Sequence, residues 1–364
     1  MLSKSLFNAR VLIFAVSLLL IAVYCLLFLG PGSTSHITDF EEVFRYREKH
    51  VATEAPDLIP AKIWQIFLTP RDASTGETGD INHKKLGDTT SWIALNPDHQ
   101  YTLMSLNAAD RFVKTQFAAN WTVRRTYQQL RNPGLKSDLL RYLILSAEGG
   151  VYTDTDTVAF KPVDRWVPEE FRDRARVVVG LEFDKLDGPN WVDIPHDLQV
   201  SLGFNNYIRC KGAWIPTTPD PTCARPHTNP GSQFCQWTIA AAPGHPLFTR
   251  MVDRAITSLK ETAAKHETTV AALQATSFET MNSTGPAAWT DVVFEQIQLA
   301  NPSVKSLRDL SGMTEPRLYG DILVLPINAF GMGQPHSNSR HDGTIPPDAL
   351  LQHNFRGSWR KPDT

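Results

Sequence analysis

Cysteine is scarce, four residues in 364, and no two lie close together. Cys25 falls inside an apolar run, while Cys210, Cys223 and Cys235 are separated by twelve and eleven residues. The close cysteine pair that a structural zinc site needs is therefore missing. In an oxidising compartment the last three cysteines permit one bridge and leave one thiol, with three pairings open. Excess charge is lacking too: 36 Lys and Arg face 38 Asp and Glu, a formal net charge of −2. With no stripe of basic and aromatic residues, nothing points to a nucleic-acid partner. No Pro/Ser/Gly-rich linker divides the middle of the chain and no internal repeat is found, so one folded domain is the simpler organisation. What is present suits it: 42% hydrophobic and 20% charged residues can bury a substantial core and do not read as disordered.

The most informative stretch is 135–163, LKSDLLRYLILSAEGGVYTDTDTVAFKPV. Leu139, Leu140, Leu143, Ile144 and Ala147 recur at helical spacing and predict an amphipathic helix packed on a sheet, which Gly149 and Gly150 stop. Val151 and Tyr152 start a short strand leading into Asp154-Thr155-Asp156. If the chain stays extended there, residues i and i+2 share a side and the two carboxylates converge on one object. Two hard oxygen ligands suit Mg²⁺ or Mn²⁺, which complete their shells with water and phosphate oxygens. Asp138 and Arg141, one turn apart on the helix's polar face, can reach the same pocket. The competing reading is a solvated turn beside a surface ion pair. The carboxyl end of a strand is where α/β folds place ligands, which favours the site.

The run Ser137-Asp138-Leu139-Leu140-Arg141-Tyr142, then Gly149-Gly150-Val151-Tyr152, then Asp154-x-Asp156, resembles the DXD signature of the fungal initiation-specific alpha-1,6-mannosyltransferase family, over about residues 59–359. The resemblance implies an α/β GT-A fold, a Rossmann-like central mixed sheet flanked by helices. It also implies a GDP-mannose donor, Mn²⁺ (with Mg²⁺ as an alternative), retention of configuration and a Golgi address. On that resemblance Asp138 and Arg141 position the donor sugar. Asp156 and His353, the latter in the terminal His…Gly-Ser-Trp segment, hold the metal, with Asp154 on the metal or the ribose. The strand around Ile63-Trp64-Gln65-Ile66 brings Gln65 to the nucleotide, although Trp64 stands where the family usually has His. Trp359 would close over the nucleotide from the terminal segment. Downstream of the second strand, Met104-Ser105-Leu106-Asn107 replaces the family's usual acidic pair.

Elsewhere, 176–181 (RVVVGL) predicts a buried strand that delivers Glu182, either to the acceptor sugar or as a loop cap. Gln236 and Trp237 are candidates to line the sugar pocket. His245, in a Pro-Gly-His-Pro turn, reads as the start of a helix over 247–260. Asp291 is expected to cap a helix, and Gly285 to let the backbone approach a ligand. Asn120-Trp121-Thr122 and Asn282-Ser283-Thr284 are glycosylation sequons.

At the amino end, residues 11–29 are nineteen apolar or small residues without charge, enough to span the roughly 30 Å hydrocarbon core. Lys4 and Arg10 precede the run and nothing charged follows until Asp39, which orients it with the remainder across the membrane. A cleaved signal peptide would have a shorter apolar region ending in small residues, not in Leu26-Leu27-Phe28-Leu29. The expected layout is a cytosolic tail over 1–10, a transmembrane signal anchor over 11–29, a luminal stem over 30–57 and a GT-A catalytic domain over 58–364. The expected partners are a nucleotide sugar, an N-glycan or mannan acceptor, the membrane through one helix, and a Golgi mannosyltransferase complex. Two alternatives are mannose transfer to inositol phosphoceramide, whose enzymes carry further carboxy-terminal spans, and an inactive luminal partner protein.

Overall fold

The computed structural model describes residues 58–69, 86–184, 207–210, 213–216, 232–334 and 337–356. The expected tail, anchor and stem, residues 70–85 and Trp359 lie outside the described residues. No helix among the described residues is long and apolar enough to cross a membrane.

A mixed sheet organises the domain. Its first strands are β1 (Lys62–Ile66), β2 (Gln100–Met104) and β3 (Gly150–Thr153), followed by β5 (Val177–Asp184), β8 (Ser232–Phe234) and β9 (Thr238–Ala241). Strands β10 (Arg317–Tyr319) and β11 (Ile322–Leu325) complete it. The order is β10-β11-β5-β9-β3-β1-β2, with β8 on β5. Strand β1 runs parallel to β2 and β3, and β11 parallel to β5. Strand β9 is antiparallel to both β3 and β5, so the carboxyl ends of β1, β3 and β5 and the start of β9 share one edge. Beyond that edge β4 (Thr157–Ala159) pairs antiparallel with β12 (Leu351–His353), while β6 (Tyr207–Cys210) and β7 (Ala213–Pro216) form a separate hairpin.

The period-2 alternation of the strands divides the apolar residues between two cores. Trp64, Tyr152, Val177, Val179 and Ile239 face one, whereas Ile63, Val151, Val178 and Ala240 face the other. The first core is closed by α4 (Pro133–Glu148), α5 (Pro246–Lys265) and α7 (Pro286–Ala300), and the second by Trp92, Trp166 and Phe330. Between β1 and α4 the chain forms α1 (Thr89–Leu95), α2 (Leu106–Gln116) and α3 (Trp121–Gln129); α6 (Ser277–Ser283) lies between α5 and α7, and α8 (Ile327–Gly331) follows β11. Ser105, where the family's acidic pair is missing, caps α2 by accepting from the Ala108 amide.

Helix α4 carries the sequence's central stretch. Asn132 accepts from the amides of Gly134 and Leu135, and Pro133 occupies the first turn. The helix departs from the amphipathic expectation, because its polar residues Lys136, Asp138 and Arg141 are buried along with its leucines. α4 is enclosed on several sides rather than laid on a sheet by one face. Two left-handed glycines end it, Gly149 at φ +62° and Gly150 at φ +92°. A Cβ on Gly149 would lie 2.7 Å from the Ala241 carbonyl oxygen, and one on Gly150 2.6 Å from that of Lys62. Only glycine fits this link between helix and strand.

Candidate active site

Asp154 and Asp156 do converge, but not through strand periodicity. Strand β3 ends at Thr153 and the chain turns, with the Thr157 amide donating to the Asp154 carbonyl at 3.3 Å and the Thr157 hydroxyl at 2.6 Å. A tight turn rather than an extended segment brings the carboxylates together. Hydroxyls of Thr153, Thr157 and Thr238 brace the turn from below, and the Trp92 indole donates to the Thr157 carbonyl at 3.0 Å.

Pairing of β12 with β4 sets His353 opposite Thr157 and so beside Asp156. The His353 Nε2 lies 3.2 Å from Asp156 Oδ1 and 3.8 Å from Asp154 Oδ2. One ligand atom from each of the three residues falls within 4.8 Å of the others. Both imidazole nitrogens are buried without a hydrogen-bond partner of good geometry. A buried imidazole between two carboxylates is a donor set that can hold a divalent cation, and a nitrogen ligand suits Mn²⁺ better than Mg²⁺. Without the ion, burial alone would lower the His353 pKa, but the Asp154 and Asp156 carboxylates facing it outweigh burial and raise it to about 9. Burial raises the Asp156 pKa, yet its contacts with His353 and the Arg356 amide leave it below the usual carboxylate range.

The remaining donors on this edge are organised by α4. Arg141 is buried, pairs with Asp138 at 2.9 Å, approaches Asp154 Oδ1 to 3.7 Å and lies over the Tyr152 ring. The pair is thus no surface ion pair. The Asp138 carboxylate also accepts from the Thr284 hydroxyl at 2.9 Å. Burial raises its pKa to about 6 even though Arg141 pulls the other way. Gln236 lies behind this pair: its side-chain amide nitrogen donates to the Tyr142 hydroxyl and the Thr284 carbonyl, and its main-chain carbonyl accepts from Arg141 at 3.2 Å. Its main chain therefore braces Arg141, and its side chain ties together Tyr142 and Thr284.

Gln65 is buried beneath the turn, donating to the Asp154 carbonyl at 2.9 Å and accepting from the Tyr101 hydroxyl at 2.7 Å. Trp64 points into the core and donates to the Gly149 carbonyl. Glu182 lies within β5, not beyond its end, and both carboxylate oxygens are taken, one by the Trp237 indole at 3.0 Å and one by Gln233 at 3.1 Å. Burial raises its pKa, partly offset by the Trp237 hydrogen bond. Trp237 in turn stacks on the His353 imidazole at 4.6 Å.

Outside the edge, the His245 expectation holds, while those for Asp291 and Gly285 do not. His245 caps α5, its Nδ1 accepting from the Leu247 amide, and α5 runs to Lys265. Asp291 caps nothing; it lies inside α7 and pairs with Arg254 at 2.6 Å. Gly285 meets the backbone of Met281, where a Cβ would come within 2.8 Å, so its closeness serves helix packing. Cys235 is a buried free thiol.

Sequence reasoning missed Tyr152, Thr284 and Asp88 as site residues. Tyr152 was legible through the i, i+2 rule, since its hydroxyl donates to Asp154 Oδ1 at 2.5 Å. Thr284 and Asp88 carry no local signal, because each meets its partner across more than a hundred residues.

A paired-carboxylate turn at a strand's end, a late imidazole and a buried Asp–Arg pair define the class of sugar-transfer sites built on a DXD motif. The family model described as "Glycosyltransferase sugar-binding region containing DXD motif" matches residues 83–172. Over 329 residues the chain is 30% identical to the initiation-specific alpha-1,6-mannosyltransferase of Candida albicans, covering 83% of this chain and 72% of that protein. Over 305 residues it is 32% identical to the Schizosaccharomyces pombe protein of the same name, covering 83% of this chain and 64% of the relative's length. Among solved structures, the PaToxG glycosyltransferase aligns with a TM-score of 0.39 at 15% identity, over 68% of this chain and 73% of that one. The chain belongs to the initiation-specific alpha-1,6-mannosyltransferase family.

Proposed function

We propose that the chain is a metal-dependent mannosyltransferase of GT-A fold. It moves mannose from GDP-mannose to a mannose-containing N-glycan acceptor in alpha-1,6 linkage with retention, from a type II Golgi membrane position. The cluster of Asp154, Asp156 and His353 beside the Asp138–Arg141 pair carries this reading. The mannosyl group and the alpha-1,6 linkage come from the names of the relatives, the GDP donor, the N-glycan acceptor and the Golgi address from the resemblance to the family, and the type II membrane position from the amino-terminal apolar run.

Held by Asp154, Asp156 and His353, Mn²⁺ would supply Lewis-acid stabilisation of the negative charge on a departing diphosphate. Buried Arg141 places a fixed positive charge next to Asp154, and Asp138 keeps its guanidinium turned toward the same edge. Tyr152 and Gln65 hold Asp154 by its side chain and its carbonyl, so the turn is ordered before substrate arrives. The Trp237 and Gln233 hydrogen bonds fix the Glu182 carboxylate at the side of the cluster, and attack and departure on one face is the proposed course in place of a glycosyl-enzyme intermediate.

The test is mannose transfer by the full-length protein from labelled GDP-mannose to a mannose oligosaccharide, with Mn²⁺ and with a chelator. Transfer is expected with Mn²⁺ only, and Asp156→Ala should lower it about a hundredfold or more. Equal transfer by both proteins would reject the site, and a trapped covalent glycosyl adduct in mass spectrometry would reject the one-face mechanism.

A further inference from the structure

Among the described residues, three non-glycine residues have a positive φ: Glu267, Asn338 and Phe355 at +48°. A bulky aromatic side chain is uncommon in the left-handed region, where its Cβ crowds the backbone. Such a conformation persists only when its surroundings hold it in place.

They do so on both sides. The Asn354 amide donates to the Asp156 carbonyl at 2.9 Å and the Arg356 amide to Asp156 Oδ2 at 2.8 Å. The side chains of the same two residues close on one carboxylate, that of Asp88. Asn354 Nδ2 reaches it at 3.0 Å and the Arg356 guanidinium at 2.8 Å. Asp88 stands at the start of α1 and makes no side-chain cap there, so its role is this clamp. The neighbours of Phe355 are thereby pinned to Asp156 and Asp88.

Phe355 so presented is 47% exposed, although the apolar core residue Trp237 lies close by. Its centroid is 3.9 Å from that of His353, nearly perpendicular, and 6.3 Å from that of Trp237. The His353 side chain and Arg141 are buried while the Phe355 ring is open, so Phe355 forms a rim above the ligand-bearing floor. A neutral aromatic face at a rim cannot recognise a diphosphate, but it attracts the polarised C–H groups on the apolar face of a pyranose ring.

We infer that Phe355, held in its left-handed turn by Asp88 and Asp156, is a stacking platform for the sugar ring of the acceptor. The assignment rests on the transfer reaction proposed above and extends it to the second substrate.

Phe355→Asn separates the ring from the backbone, because asparagine tolerates the left-handed conformation, and Phe355→Trp restores an aromatic face. With the full-length protein, binding of an alpha-mannose oligosaccharide is measured by calorimetry, alongside Mn²⁺ affinity by electron paramagnetic resonance, GDP affinity and Tm. In Phe355→Asn the oligosaccharide should bind roughly three- to tenfold more weakly, with Mn²⁺ affinity and GDP affinity kept and Tm not lowered. Phe355→Trp should bind within about twofold of the parent. Unchanged oligosaccharide binding in Phe355→Asn, or no binding by the parent protein, overturns the platform. So does loss of GDP affinity, which makes the ring a base-stacking group, or a fall in both Tm and Mn²⁺ affinity, which makes it packing for His353. A parent protein that binds the oligosaccharide through Phe355 yet transfers no mannose retains the platform and rejects the reaction.

Discussion

Asp138 shows how much one buried carboxylate can organise. It neutralises Arg141, accepts from Thr284 and stands in a surrounding dry enough to lift its pKa to about 6. Removing it leaves the guanidinium buried with only the more distant Asp154 as a charge partner. Breaking one side of a buried ion pair costs about 3–5 kcal/mol, because an uncompensated charge is left inside. Asp138→Ala is therefore expected to lower unfolding free energy by about that amount in denaturant titration. Thr284→Val, which removes one hydrogen bond to a charged group, should cost about 1.5–3 kcal/mol. If Asp138→Ala proved no more costly than Thr284→Val, the Asp138–Arg141 pairing would not be what holds this corner.

At the level of elements, the link from α4 to β3 and the start of α5 share a logic of backbone chemistry imposed by position. Gly149 and Gly150 are required by left-handed φ and by close approach to Ala241 and Lys62. His245 is required neutral, because its Nδ1 accepts the Leu247 amide at the head of α5. Burial lowers its pKa, only partly opposed by Asp321. A histidine whose folded pKa is depressed binds its proton more readily when unfolded, so stability is lost as pH falls through the unfolded value of about 6.5. His245 thus contributes a decrease in unfolding free energy from about pH 7.5 to about pH 5.5, opposite in sign to the contributions of Asp138 and His353, whose raised pKa values add stability over the same fall. His245→Asn should flatten that decrease while keeping the cap, and His245→Ala should cost about 1 kcal/mol at neutral pH. Chemical denaturation at several pH values measures both, and an Asn variant with the parent's pH slope would exclude His245 as its source.

For the whole molecule, the carboxyl edge of the mixed sheet gathers groups from β1, β3, β5, α4 and β12, so ligand binding should be felt globally. A ligand that binds only the folded state at a hundred times its Kd adds about 2.7 kcal/mol. Mn²⁺ with GDP-mannose is expected to raise Tm by several degrees in a thermal-shift measurement, and the Asp156→Ala protein should show no such rise; an equal rise in both would place binding elsewhere. Much of this architecture was legible one-dimensionally. The helix–glycine–strand order around residues 133–153, the buried run 177–181 and the pair Asp154 and Asp156 follow from spacing and from residue types with few alternative conformations. Local periodicity failed where burial is decided by distant partners. Helix α4 reads as amphipathic, yet its polar residues are inside, because Asp110, Thr284 and Gln236 supply partners that no window around residue 140 contains. Asp154 and Asp156 meet through a turn whose braces come from Thr238, Trp92 and Gln65. The chain alone therefore determined which elements form and which chemistry they carry. Tertiary structure decided which side chains reach that chemistry, since Asp88 with Asn354, Asp138 with Thr284 and Glu182 with Trp237 become neighbours only when the sheet edge assembles.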